Sequence, residues 1–195
     1  MPTSDKIKLS NVRLSFPRLF VPRAFNPGQP PRYEASFLLD PSDKDHAAVI
    51  AEIEEVADDI AKEMWPKKRP PGLERCYGLA NDDEKKSQYD GYEDMFFIST
   101  SATQNTPPLI VDAGRNALVI KDGVEPKIPY AGCYVTASIT LWTQDNQFGK
   151  RINANLRAVQ FKKDGEAFSG VKPVDVDEEL DDFDGDEDDE SFLDD

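Results

Sequence analysis

Residues 133–161 read CYVTASITLW, then TQDNQFG, then KRINANLRAVQF. Val135, Ala137, Ile139 and Leu141 recur at every second position, and Ile152, Ala154, Leu156 and Ala158 do so on the far side of TQDNQFG. A period of two over this length marks strands with one buried face, and the polar loop between them predicts a long antiparallel hairpin. Parity sends Tyr134, Thr136, Ser138, Thr140 and Trp142 outward on one strand. It sends Arg151, Asn153, Asn155, Arg157 and Phe161 outward on the other. Rings, guanidinium groups and amides therefore share the exterior of the hairpin. A half-solvated sheet also has a polar side for no functional reason, and the helix described below is an alternative cover for Tyr134 or Trp142.

Working outward, Ile7 and Leu9 alternate and then Val12, Leu14 and Phe16 resume one residue out of step, which predicts a strand with a bulge near Ser10 and Asn11. The stretch 17–32, PRLFVPRAFNPGQPPR, holds five prolines and reads as a long exposed loop. Tyr33, Ala35, Phe37 and Leu39 line the inner side of a second strand. Asp40 to Trp65 is the one clear helix, with Asp40 as N-cap, Pro41 at the first position and Pro66 as the stop. Its apolar stripe is Val49, Ile50, Ile53, Val56, Ala57, Ile60 and Met64. A loop-rich stretch with a basic cluster at Lys67, Lys68 and Arg69 follows, then strands at MFFISTSA, LIVD and NALVI. The fold class is mainly β with one main helix, arranged as a small antiparallel barrel, with a sandwich as the alternative.

Composition narrows the function. The chain has 195 residues and a net charge of -15, but residues 174–195 hold fourteen Asp and Glu and no Lys or Arg. The remaining 173 residues are nearly neutral, with 24 acids against 23 bases. The expected organisation is one domain over 1–173 and an acidic tail over 174–195 that repels itself too strongly to collapse. Cys76, Cys133 and His46 offer no disulfide framework or zinc spacing, and His46 reads as a solvated surface residue. No Gly-rich phosphate loop or Ser, His and Asp set is present. Asp82, Asp83, Glu84, Asp90, Glu93 and Asp94 read as an acidic surface loop in preference to a magnesium site for nuclease chemistry. The expectation is a non-enzyme with no metal and no cofactor. The N-terminus carries no signal-peptide pattern and no segment is long and apolar enough to span a bilayer, so an intracellular protein without a membrane partner is expected.

Residues 1–33 carry six bases, Lys6, Lys8, Arg13, Arg18, Arg23 and Arg32, against one acid, Asp5, and Phe16, Phe20, Phe25 and Tyr33 lie among them. Cations that track phosphates and rings on which bases stack suit a single-stranded nucleic acid. The candidate surface for single-stranded DNA comprises Arg13, Arg18, Phe20, Arg23, Tyr77, Tyr92, Tyr134, Trp142, Phe148, Lys150, Arg151 and Arg157. A tethered polyanion mimics the phosphate backbone, so the tail is expected to compete for that surface. Once displaced, Asp188, Asp189, Glu190, Phe192, Leu193, Asp194 and Asp195 are expected to dock on a partner protein. The alternative from a different class is a protein-interaction module or DNA mimic that acts through the tail alone.

Taken together, LDPSDKDHAAVIAEIEEV, YDGYEDMFFISTSA, IPYAGCYVTASITLW and NLRAVQFKKDGEAFSG, followed by an acidic end, resemble a phage family long catalogued as a domain of unknown function. Its members are regarded as single-stranded DNA-binding proteins similar in design to those of T7-like phages. The resemblance, from about Lys6 to Gly170, implies an OB-fold-like body that coats single-stranded DNA in replication, recombination and repair. It implies phage or host replication proteins as partners of the tail, the cytoplasm of an infected bacterium as the location, and is compatible with a homodimer. Related tails end on the aromatic residue itself, whereas Phe192 is followed by Leu193, Asp194 and Asp195.

Overall fold

The computed structural model describes residues 1–169, so the tail expectations for 174–195, including Asp188 to Asp195, lie outside the described residues. Eight strands and one main helix occur in the order β1 (Ile7–Arg23), β2 (Arg32–Leu39), α1 (Lys44–Met64), β3 (Glu74–Arg75), β4 (Tyr77–Leu79), β5 (Phe96–Thr103), β6 (Leu109–Val111), β7 (Tyr134–Asn146) and β8 (Gly149–Lys163). Two short 3-10 turns lie between β4 and β5. Strand β1 pairs with both β2 and β7, β2 pairs with β5, and β7 pairs with β8, all antiparallel. A parallel pairing of Ser101 with Asn155 joins β5 to β8 and closes the sheet into a ring. The ring is thus of mixed direction where a purely antiparallel one was expected.

The inner face is the alternating set that the sequence suggests. Val135, Ala137, Ile139, Leu141, Ile152, Ala154 and Leu156 are buried against Leu9, Val12, Leu14, Ala35, Phe37 and Leu39. Helix α1 packs on β7, β1 and β2 through Ile53, Ala57, Ile60 and Ala61, all buried. The bulge in β1 falls between Leu9 and Val12 as expected, with Asn11 in the left-handed region at φ 54°.

Several local expectations are corrected. The N-cap of α1 is Asp43, whose carboxylate accepts from the amides of Asp45 and His46, while Asp40 accepts from the Ser42 amide and hydroxyl in the preceding turn. His46 is no idle surface residue. Its Nδ1 accepts from the Asp40 amide, which leaves Nε2 to donate to the Asn11 carbonyl at 3.0 Å and ties the helix start to the β1 bulge.

The proline-rich stretch does not begin a loop at Pro17, because β1 runs on through Pro17 and Pro22 to Arg23. Both prolines fall inside register shifts of the β1–β2 ladder, between Ser15 and Arg18 and between Arg18 and Arg23, so neither occupies a paired position that would need its missing N–H. Phe16 leaves the core pattern: at φ 46°, within the register shift between Ser15 and Arg18, it is 42% exposed, and Ser15 is buried instead.

The hairpin loop is only Gln147 and Phe148, since Asn146 pairs with Gly149 and TQDN belongs to β7. A second shift, opposite Ser138 and Ile139, leaves Arg157 as the extra residue of β8. Parity reverses there, so Val159 is buried while Ala158 is only half-buried. Phe161 pairs with Val135 and packs on the core instead of facing out. NALVI forms no strand and contributes one bridge from Ala117 to Val111.

Candidate nucleic-acid interface

The outer faces of β2 and β5 carry short polar side chains in register, Glu34 against Ser101 and Ser36 against Ser99, with the two serine hydroxyls 3.2 Å apart. Small residues there leave a trough whose walls come from elsewhere. The bulged end of β1 supplies Phe16, Pro17 and Arg18, the following loop Phe25, and the 3-10 turn before Tyr89 supplies Lys85, Lys86 and Tyr89. The trough encloses about 510 Å³.

Its walls are rings and cations in contact. Phe16 and Tyr89 meet edge to face with centroids 4.7 Å apart, and Phe25 is 70% exposed. Such exposure of a large ring is what a stacking platform requires. Lys86 lies 5.7 Å from the Tyr89 centroid and 5.1 Å from that of Phe97, and loss of solvent holds its ammonium below the ordinary lysine value. Asp83 positions this turn by accepting from the amides of Lys85 and Lys86. Arg18 pairs with Glu34 across the trough at 3.4 Å, a partly solvated contact of modest strength.

The face continues toward the hairpin. Arg32 donates to Ser101 at 3.4 Å, where β5 meets Asn155 of β8. Asn155 donates to Thr140 and Asn153 donates to Gln144, forming a polar row in which Trp142 pairs with Asn153 and Gln144 with Arg151. Trp142 is half-buried, and Arg151 is ion-paired with Glu74 at 3.0 Å. Trp142, Arg151 and the trough therefore lie along one outer face that crosses the β5–β8 junction.

The other sequence-chosen residues are distributed as follows. Phe148 caps the hairpin tip at 72% exposure, beside Lys150, which pairs with Asp145 at 2.8 Å. Arg157 is exposed on its bulge, and Arg23 is exposed at the end of β1. Phe20 packs on the core. Tyr77 and Tyr92 are core residues, 8% and 0% exposed, and present no open ring face. Burial pushes the Tyr77 phenol up to about 12 and raises that of Tyr92.

Arg13 and Tyr134 serve another purpose. Arg13 donates to the Gly132 carbonyl at 3.1 Å and to the Glu166 carbonyl at 2.6 Å, and lies over the rings of Phe168 and Tyr134. Lys163 covers Tyr134 as well, at 4.7 Å. Together they strap residues 164–169 to the body. Gly132, at φ 99°, is crossed so closely by the Glu166 backbone that no side chain fits there.

Phe16, Phe25 and Arg32 belong to the basic and aromatic pattern of residues 1–33 but not to the candidate set chosen from it, whereas Lys85, Lys86 and Tyr89 were not singled out at all. The available signal for the last three was the run KKSQY at 85–89, two cations and a ring within five residues. Among the described residues no group of three His, Cys, Asp or Glu side chains is placed to hold a metal ion.

Comparison with known proteins agrees with this architecture. The solved single-stranded DNA-binding protein of bacteriophage Enc34, in complex with ssDNA, superposes with a TM-score of 0.72 at 31% identity, covering 83% of this chain and 88% of that one. The single-stranded DNA-binding protein gp2.5 of bacteriophage T7 shares the fold, with a TM-score of 0.52 at 14% identity over 92% of this chain and 98% of its own. Putative protein p50 of Acyrthosiphon pisum secondary endosymbiont phage 1 is 37% identical over 186 residues, 91% of this chain and 94% of its own. The family model described as Enterobacter phage Enc34, ssDNA-binding protein, matches residues 5–193, and the chain belongs to that family.

Proposed function

We propose that this protein binds single-stranded DNA with little regard to sequence, along the outer face that runs from the Phe16, Phe25 and Tyr89 trough to Trp142. The observation that carries the reading is the trough itself: solvent-accessible rings and three cations, Arg18, Lys85 and Lys86, share one concavity floored by serines. Rings take the faces of unpaired bases, the cations track phosphates, and nothing in the set reads base edges specifically, so binding tolerates sequence. Membership of the Enc34 family supports the reading, as does the 31% identity to a relative solved with ssDNA.

In this proposal the protein acts without catalysis, coating strands exposed during phage replication, recombination and repair inside the host. Domain 1–173 binds and the tail from 174 competes with DNA, then recruits replication proteins through the Phe192 region when displaced. The test follows Trp142 emission, in a Trp65→Phe background, as oligothymidine is added at several salt concentrations. Quenching that weakens with salt, at a log-log slope of about -0.7 for each phosphate neutralised, is expected. Unchanged emission together with no mobility shift of the oligonucleotide refutes the proposal.

A further inference from the structure

The basic cluster at the end of α1 has no part in that face. There Ala61, Trp65 and Pro66 floor a notch of about 320 Å³, with Lys62, Lys67, Lys68 and Arg69 at its margins. The indole of Trp65 is fixed: its Nε1 donates to Asp145 at 2.8 Å, and the same carboxylate accepts from Lys150. The acid that lines the notch, Asp58, is engaged by Arg69 at 2.8 Å. Outside the notch, α1 exposes Glu52, Glu54, Glu55, Asp59 and Glu63. The site is an apolar floor inside a cationic rim, on the border of an acidic helix face.

We infer that this notch is the docking site of the chain's own C-terminal end, with the Phe192 and Leu193 side chains on the Trp65 floor and the flanking carboxylates on the lysine rim. The segment Asp188 to Asp195 reads DDESFLDD, an apolar pair with acids on both sides, and the notch is its inverse in charge and in polarity. A nucleic acid strand carries a charge at every nucleotide and needs a continuous track, which the acidic face of α1 interrupts. Reach is sufficient. Ser169 is held by hydrogen bonds to Asp90, and the 23 residues from there to Phe192 extend about 75 Å, whereas a domain of this size is roughly 40 Å across. The docking stands independently of the DNA proposal, because it takes only residues 188–195 and leaves the acids of residues 174–187 to compete with DNA for the trough.

The test uses the full chain with Phe192 replaced by the photoreactive p-benzoylphenylalanine, irradiated without DNA, and maps the adducts by mass spectrometry. Adducts within residues 61–69 are expected, at a yield independent of protein dilution because a tethered segment is held near millimolar effective concentration. The Lys67→Glu/Lys68→Glu double variant, whose changes are on the surface and are checked by an unchanged melting temperature, is expected to lower that yield about tenfold. Adducts confined to the Phe16 and Tyr89 trough overturn the inference. So does a yield that rises with protein concentration, which assigns the notch to a second copy. Labelling of residues 61–69 by a photoreactive oligothymidine also overturns it, since the notch is then a nucleic-acid site.

Discussion

Replacing Phe25 by alanine separates binding from folding. The ring is 70% exposed in the loop between β1 and β2, so its loss costs the fold no more than about 0.5 kcal/mol, as for most surface substitutions. For a domain of this size that lowers the melting temperature by no more than about 2 °C. Stacking of one base on one ring is worth about 1–3 kcal/mol, so Phe25→Ala should weaken binding of oligothymidine about 5- to 150-fold. The ring carries no charge, so the slope of log affinity against log salt should stay as in the parent, whereas removing Lys85 should reduce it by about 0.7. Fluorescence anisotropy at three salt concentrations, with melting curves on the same samples, reads all three quantities. Leu109→Ala, an aliphatic side chain 57% exposed on β6, serves as a control that should leave affinity unchanged. Parental affinity in Phe25→Ala refutes the trough as the binding surface. A fall in stability as large as the fall in affinity refutes the reasoning differently, by making the ring structural.

Three further outcomes are expected. Glu34→Gln removes a carboxylate from the trough and releases Arg18 from a 3.4 Å pair worth about 0.2–1 kcal/mol, so oligothymidine should bind up to about fivefold more tightly by the same anisotropy assay. Lys86 has its value lowered from 10.5 by desolvation, and a phosphate beside it raises that value again, so binding takes up a proton. Affinity should therefore be complete below the free-state value and fall as pH rises through it, and titrations across alkaline pH should show this dependence flattened in Lys86→Arg. Arg13→Ala deletes two charge-assisted bonds and a cation over Phe168. It should destabilise the protein by about 2–4 kcal/mol in denaturant titration and speed amide exchange at residues 164–169.

What the sequence discloses depends on how local the cause is. The hairpin core from Val135 to Leu156 and the β1 bulge at Asn11 are set by period-two burial, and the structure has them there. Phe161 and Ala158 were misplaced because a bulge at Arg157 reverses parity, and no residue type there announces it. The proline-rich stretch misled for a related reason. Proline excludes only a strand position that needs the missing donor, and whether a position is paired depends on the register with β2, which shifts at both Pro17 and Pro22. Tyr77 and Tyr92 show the limit for site residues: the same ring serves stacking or packing, and only the fold decides, here by placing Phe96 against Tyr77, and Tyr89 with Phe16 against Tyr92. The trough was legible only on one side: Phe16, Arg18 and Phe25 belong to the basic and aromatic pattern of residues 1–33, whereas Tyr89 joins them from 73 residues beyond Phe16, a convergence that only the fold creates.

The central claim is that nucleic acid lies along the outer face from the trough to Trp142. Cross-linking with oligothymidine carrying 5-iododeoxyuridine, followed by peptide mapping on the full chain, tests it most directly, because photoadducts form on the rings that bases touch. The account predicts adducts at Phe16, Phe25, Tyr89 and Trp142, suppressed by salt. Adducts concentrated instead around Leu109 to Val124, or at Trp65, with those four rings unmodified, would contradict it.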